Sequence, residues 1–110
     1  MQPGDWEQCK ARVDSLKQRF EELESGFSVK QDLDFDRDRG VTFRFDPKGG
    51  GRSLLLRLDL EILQDYGVDD IVRLMEKSRW QTLLSQAPEG KYLRFRESGL
   101  ELSTVFCDLM

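Results

Sequence analysis

The chain is 110 residues long, room for one domain, because two separate units would each be too small to hold a core. Charged side chains at 35%, apolar ones at 38%, and seven Phe, two Trp and two Tyr exclude disorder on composition and predict a solvated globule with an aromatic core. A formal charge of −4 offers no general attraction to nucleic acid or anionic lipid, and the absence of histidine removes the commonest general base and metal ligand.

From Asp5 to Ser25 the sequence predicts a long helix. Asp5 stands as an N-cap with Gln8 three residues on, and Gly26 sits where a C′ glycine ends a helix. Trp6, Cys9, Val13, Leu16, Phe20, Leu23 and Phe27 recur at alternating spacings of three and four, which is a heptad seam. Such a seam either faces the domain's own sheet or meets a second helix. A 21-residue helix runs about 30 Å, whereas a six-residue strand covers about 20 Å, so one end overhangs. The N-terminal end is the farther from the chain reversal at Gly26, which makes Trp6, Cys9, Val13 and Leu16 candidate partner-contacting residues. With Trp6 at position a, a parallel homodimer sets Arg12 against Lys17 and Arg19 against Glu24. One pair repels and the other attracts, so a parallel self-zipper is poorly specified.

Past Gly26 the hydrophobic period shortens from about 3.5 to 2. Phe27, Val29, Leu33 and Phe35 form one alternating strand, and Asp36 to Gly40 reads as a turn. Val41, Phe43 and Phe45 form a second strand, and Leu54, Leu56, Leu58 and Leu60 a third. Short connections between them predict an antiparallel meander with one apolar and one charged face. Glu61 to Tyr66 makes a helical turn ended by Gly67. Asp69 then caps a second helix carrying Ile71, Val72, Leu74 and Met75, whose stripe is interrupted at Ser78 and Arg79 before Trp80, Leu83 and Leu84. Tyr92 to Arg96 and Leu100 to Phe106, joined at Glu97-Ser98-Gly99, predict a closing hairpin. The expected fold class is α+β, in the order α-β-β-β-α-β-β, with one layer of helix on one sheet and a single domain over 1–110.

The chemical motifs that the chain approaches all fail on spacing. If Asp34 opened an EF-hand loop, its sixth residue should be Gly and is Arg39, and its twelfth should be Glu and is Phe45. Gly49-Gly50-Gly51-Arg52-Ser53 lacks the Lys of a phosphate-binding loop and leads into a strand rather than a helix. Cys9 and Cys107 read as reduced thiols, without a histidine to activate either. The chain is therefore expected to be no enzyme, with no cofactor, metal or small-molecule substrate. Apolar runs are too short to cross a bilayer and the N-terminus lacks a leader pattern, so a cytoplasmic location is expected.

Arg44, Arg57, Arg94 and Arg96 remain. Arg44 and Arg57 alternate with core-facing residues of the second and third strands, so both belong on the outer sheet face, while Arg94 and Arg96 share one face of the fourth strand; Asp46, Asp59, Glu97 and Glu101 are interleaved with them. A basic stripe there suits an acidic partner, whereas single-stranded nucleic acid would need aromatics on the same parity, and only Tyr92 has it. The function expected from these features is a non-enzymatic protein-binding module or adaptor, dimeric, using the 5–25 helix, the outer sheet face, or both. Its partner is a protein, itself included as a homodimer. In element order alone the chain resembles the small acidic dimeric chaperones of type III secretion, and that resemblance implies binding of an extended effector segment. A monomeric inhibitor or immunity protein is the competing expectation.

Overall fold

Alternation of Val41, Phe43 and Phe45 with Thr42, Arg44 and Asp46 buries the first set and leaves the second partly or wholly in solvent. The same two-residue rhythm organises the whole sheet. The computed structural model describes residues 3–34, 40–99 and 101–108. Its elements are α1 (Pro3–Leu23), β1 (Phe27–Asp34), β2 (Gly40–Pro47), β3 (Leu54–Asp59), α2 (Leu60–Asp65), α3 (Val68–Lys77), α4 (Trp80–Ser85), β4 (Lys91–Ser98) and β5 (Glu101–Asp108). The fold is α+β, a helix followed by a five-stranded sheet in the order β1-β2-β3-β4-β5, with three short helices between β3 and β4.

β2 runs antiparallel to both β1 and β3, β4 lies parallel to β3, and β5 is antiparallel to β4. A parallel neighbour needs a crossover long enough to return the chain to the starting edge. The helices α2, α3 and α4 supply it.

The helical turn expected over Glu61 to Tyr66 is α2, and the second helix of the sequence reading is in fact two, α3 and α4. Gly67 separates α2 from α3 as the N-cap of the latter, which moves Asp69 from cap to first turn. Arg79 adopts a left-handed conformation, φ 57°, and so ends the path of α3 before α4 begins at Trp80. Its neighbour Ser78 bonds its hydroxyl back to the Leu74 carbonyl at 3.2 Å. At the other end of the chain α1 begins at Pro3, a residue whose fixed φ and missing N–H suit a first helical turn, so Asp5 lies inside the helix rather than capping it. Phe35 and most of the turn expected over Asp36 to Gly40 fall outside the described residues; Gly40 already belongs to β2.

The core lies between the helices and one face of the sheet. Val13, Leu16 and Phe20 from α1, Ile62 and Leu63 from α2, Ile71 and Met75 from α3, and Trp80 from α4 are fully buried with Phe43, Phe45, Leu56, Leu58 and Phe95 from the strands. Phe20 is the aromatic centre, with ring centroids 5.0 Å from both Phe43 and Trp80 and 5.8 Å from Phe45. Edge-on and tilted pairs at these distances add to the area term through their quadrupoles. Among the described residues no helix is long and apolar enough to cross a membrane.

Candidate functional site

Because successive side chains of a strand point to opposite faces, burial of Val41, Phe43, Leu56, Leu58, Leu93 and Phe95 against the helices fixes what the other face displays. The strand register then places those residues in rows. One row across all five strands reads Asp32, Thr42, Arg57, Arg94 and Val105, each directly opposite the next. A second sets Lys30 opposite Arg44 and Arg44 opposite Leu55. Tyr92 lies opposite Cys107 in the same part of the face. Among its described side chains, Lys30, Arg44, Arg57, Arg94 and Arg96 outnumber Asp32, Asp46 and Asp59, so the face is basic on an acidic chain.

The parallel pairing of β3 with β4 puts two like charges, Arg57 and Arg94, directly opposite each other. Asp59, two residues along β3 and on the same face, resolves the conflict. Arg94 grips it in a fork, Nε donating to Oδ1 at 2.9 Å and Nη2 to Oδ2 at 3.0 Å. The Nε of Arg57 lies 3.9 Å from Oδ1, and that of Arg96 lies 3.8 Å from Oδ2. One carboxylate thus sits among three guanidiniums. Asp59 raises the pKa of Arg94, by its hydrogen bond first and its charge second, against the opposing effect of burial. Exposure grades outward through the cluster: the Arg57 side chain is 9% exposed, Asp59 12%, Arg94 31% and Arg96 58%.

A second charged group lies on β2. Asp46 accepts from the Ser53 hydroxyl at 2.5 Å and from Arg44 Nε at 3.2 Å, with Lys30 Nζ 3.9 Å away. The Ser53 hydrogen bond leads in holding the Asp46 carboxyl below its ordinary value; Arg44 and Lys30 add to it, and burial opposes. Between the two charged groups the face turns apolar, with Leu55 and Tyr92 half-buried, and Val105 is exposed on the edge strand opposite Arg94. Burial, then a hydrogen bond with the Cys107 thiol, pushes the Tyr92 phenol up, and Arg57 and Arg94 pull it the other way.

The sequence-derived candidates divide between the two sides of the sheet. Arg44, Arg57, Arg94 and Arg96 come together on the outer face, Arg57 as its buried member. Cys9, Val13 and Leu16 lie on the opposite side, no more than 1% exposed, inside the chain's own core. The Trp6 side chain is outside the described part of α1. Basic residues flanking the seam reach the neighbouring helices of the same chain: Arg12 donates to the Leu63 and Gln64 carbonyls at the end of α2, and Arg19 to Asp69 of α3 at 2.8 Å on the surface. The overhanging helix therefore finds cover on α2 and α3. Asp59, read from sequence only as one of several interleaved acids, is the organising residue of the outer face. Its signal was the i, i+2 spacing from Arg57, which guarantees a shared face. Neither cysteine is in a disulfide among the described residues; Cys9 is buried and Cys107 half-buried on the outer face.

No protein-family model matches this chain, and neither a curated protein nor a solved structure does.

Proposed function

We propose that the protein is a non-enzymatic binding module that holds an acidic segment of a protein partner on the outer face of its sheet. The observation that carries the reading is the cluster at Asp59. Each guanidinium offers five N–H donors, and a single carboxylate leaves most donors of the exposed Arg96 for a ligand. Arg44, its side chain 48% exposed, repeats the arrangement beside Asp46. Planar guanidiniums held in place by neighbouring acids are preorganised to read carboxylates, so a partner loses less freedom on both sides when it binds. Leu55 and Tyr92 give such a segment an apolar patch between the two charged groups, and Val105 an apolar contact beyond Arg94, which is the composition of an interface centre with a polar rim.

A fluorescein-labelled peptide alternating Glu with Leu, titrated in anisotropy, tests the reading against a matched Lys-Leu peptide. Saturable binding of the acidic peptide that weakens with salt is expected, and Arg44→Glu with Arg96→Glu should weaken it about tenfold or more while the circular dichroism stays native. No saturable binding, or an affinity unmoved by the charge reversal, sinks the proposal.

A further inference from the structure

Two edges bound the sheet, and the fold treats them differently. β1 runs beside α1 along a groove of 620 Å³ walled by Asp14, Lys17, Gln18 and Glu21, and Gln31 of the strand reaches across it to Asp14 at 2.6 Å. A strand approaching β1 meets long charged side chains, one of the ordinary ways in which a sheet edge is kept from pairing. Between Glu101 and Asp108, β5 carries no such side chains. Its sequence, Glu101-Leu102-Ser103-Thr104-Val105-Phe106-Cys107-Asp108, contains no Lys, Arg, Pro or Gly. Its pairing with β4 is unbroken over all eight residues, from Ser98 opposite Glu101 to Lys91 opposite Asp108, so no bulge bends the edge away.

The hairpin fixes which main-chain groups face outward. Only Gly99 and Leu100 lie between Ser98 and Glu101, so that pair is joined by its own hydrogen bonds. Hydrogen-bonded and non-hydrogen-bonded pairs alternate along an antiparallel ladder. Ser103, Val105 and Cys107 consequently turn their N–H and C=O groups toward β4. Leu102, Thr104, Phe106 and Asp108 turn theirs away from the sheet. At the same edge Phe106 is half-buried and Val105 is 45% exposed.

We infer that this edge is completed by β5 of a second copy of the chain, antiparallel about a two-fold axis, to form one continuous sheet. The strand is complementary to itself in one register. With Thr104 opposite Thr104 of the copy, Leu102 falls opposite Phe106 on the helix side and Ser103 opposite Val105 on the outer side, and the Leu102–Phe106 and Thr104–Thr104 pairs present outward N–H and C=O groups to each other. Glu101 then meets Cys107, and no two like charges stand opposite. Moving the axis to Val105 would set Leu102 against Asp108, a carboxylate beside an apolar side chain at the edge of the core. The Thr104 register is the one the side chains favour. This pairing stands apart from the acidic-partner reading, since it uses the strand edge and not the arginines, although it would join two arginine faces into one.

Light scattering on a sizing column, with reductant present, should give twice the 12.9 kDa chain mass. Thr104→Pro removes only an outward N–H, which an edge strand tolerates, and should return the mass to that of one chain with circular dichroism unchanged. Amide exchange read by NMR on the unmodified chain checks the same point without a substitution. The Leu102, Thr104 and Phe106 amides should be slowed about a hundredfold or more beyond free exchange, alongside Ser103, Val105 and Cys107. A single-chain mass at every concentration, a dimer whose Leu102, Thr104 and Phe106 amides exchange freely, or a folded Thr104→Pro variant that stays dimeric each overturns the inference. None of these outcomes bears on peptide binding by the arginine face.

Discussion

The Arg57 guanidinium passes over Gly40, where a Cβ would stand 2.9 Å from Nη2, 3.2 Å from Cζ and 2.6 Å from the Leu58 carbonyl oxygen. Gly40 is also the residue opposite Asp59 in the β2–β3 register. A side chain at position 40 would therefore press on the arginine at the moment it reaches its carboxylate. The requirement is for space, since the backbone there is an ordinary strand.

Gly40→Ala is expected to lose about 1–3 kcal/mol of stability in urea unfolding, the range for overpacking a closed site. Gly26→Ala, where nothing lies within 4 Å of the added carbon, is the control and should stay within about 0.5 kcal/mol. Combining Gly40→Ala with Arg57→Ala should recover part of the loss and no more, because the Leu58 carbonyl is the nearer obstacle. Equal stability of the two glycine variants would refute the close-approach account.

Asp59→Asn leaves three guanidiniums near one another without the charge they share. Breaking a mostly buried pair in this way costs about 2–4 kcal/mol, because the remaining charges stay desolvated. Arg96→Ala, at the exposed end of the cluster, should cost less than about 1 kcal/mol. A double-mutant cycle between Asp59 and Arg94 should return a coupling of about 1–3 kcal/mol, and a coupling near zero would mean that the fork contributes nothing net.

What the sequence made legible followed from local periodicity, and what it concealed came from contacts between distant segments. Strand alternation put Arg44 and Arg57 on the outer face and Arg94 with Arg96 on one face of β4, because parity is a local property of each strand. It could not show that β4 would dock parallel to β3, and that long-range event alone makes Arg57 and Arg94 neighbours and Asp59 their common partner. The heptad seam is similar. Spacing identified Cys9, Val13 and Leu16 as residues that need cover, but a core and an oligomer seam bury the same side chains by the same physics. Arg12 and Arg19, which bind α2 and α3, carried the distinction. The end of the second helix stays open in the sequence because Ser78 and Arg79 only interrupt its apolar stripe, and a left-handed arginine leaves no mark in hydrophobicity that would separate a broken helix from a polar turn of a continuous one.

Leu16, fully buried on α1, gives the seam its direct test. Leu16→Ala should cost about 2–5 kcal/mol, the range for emptying a core site. Leu16→Glu should abolish the cooperative unfolding transition, since an unpaired carboxylate would have to enter the layer that contains Phe20 and Val13. Circular dichroism and sizing together read the result. A Leu16→Glu chain that remains folded and merely changes mass would show that the seam faces another molecule.

Glu97 links the cluster end of β4 to α2 and makes stability depend on pH. A hydrogen bond between its carboxyl and that of Asp65 comes first in raising its pKa above the ordinary 4.5, followed by burial and by the charges of Asp65 and Glu61. A group whose folded-state value is raised stabilises fully below its unfolded value, and that contribution fades as pH climbs through the folded value. The native chain should therefore lose stability from this group as pH rises from about 4 toward neutrality. In Glu97→Gln the amide can donate to Asp65 at any pH, so the loss is absent. Thermal unfolding of both proteins from pH 3.5 to 7 should show them close at the acid end and the variant ahead at the neutral end. A difference in melting temperature that does not change across that window would show that the Glu97 carboxyl is not raised in the folded chain.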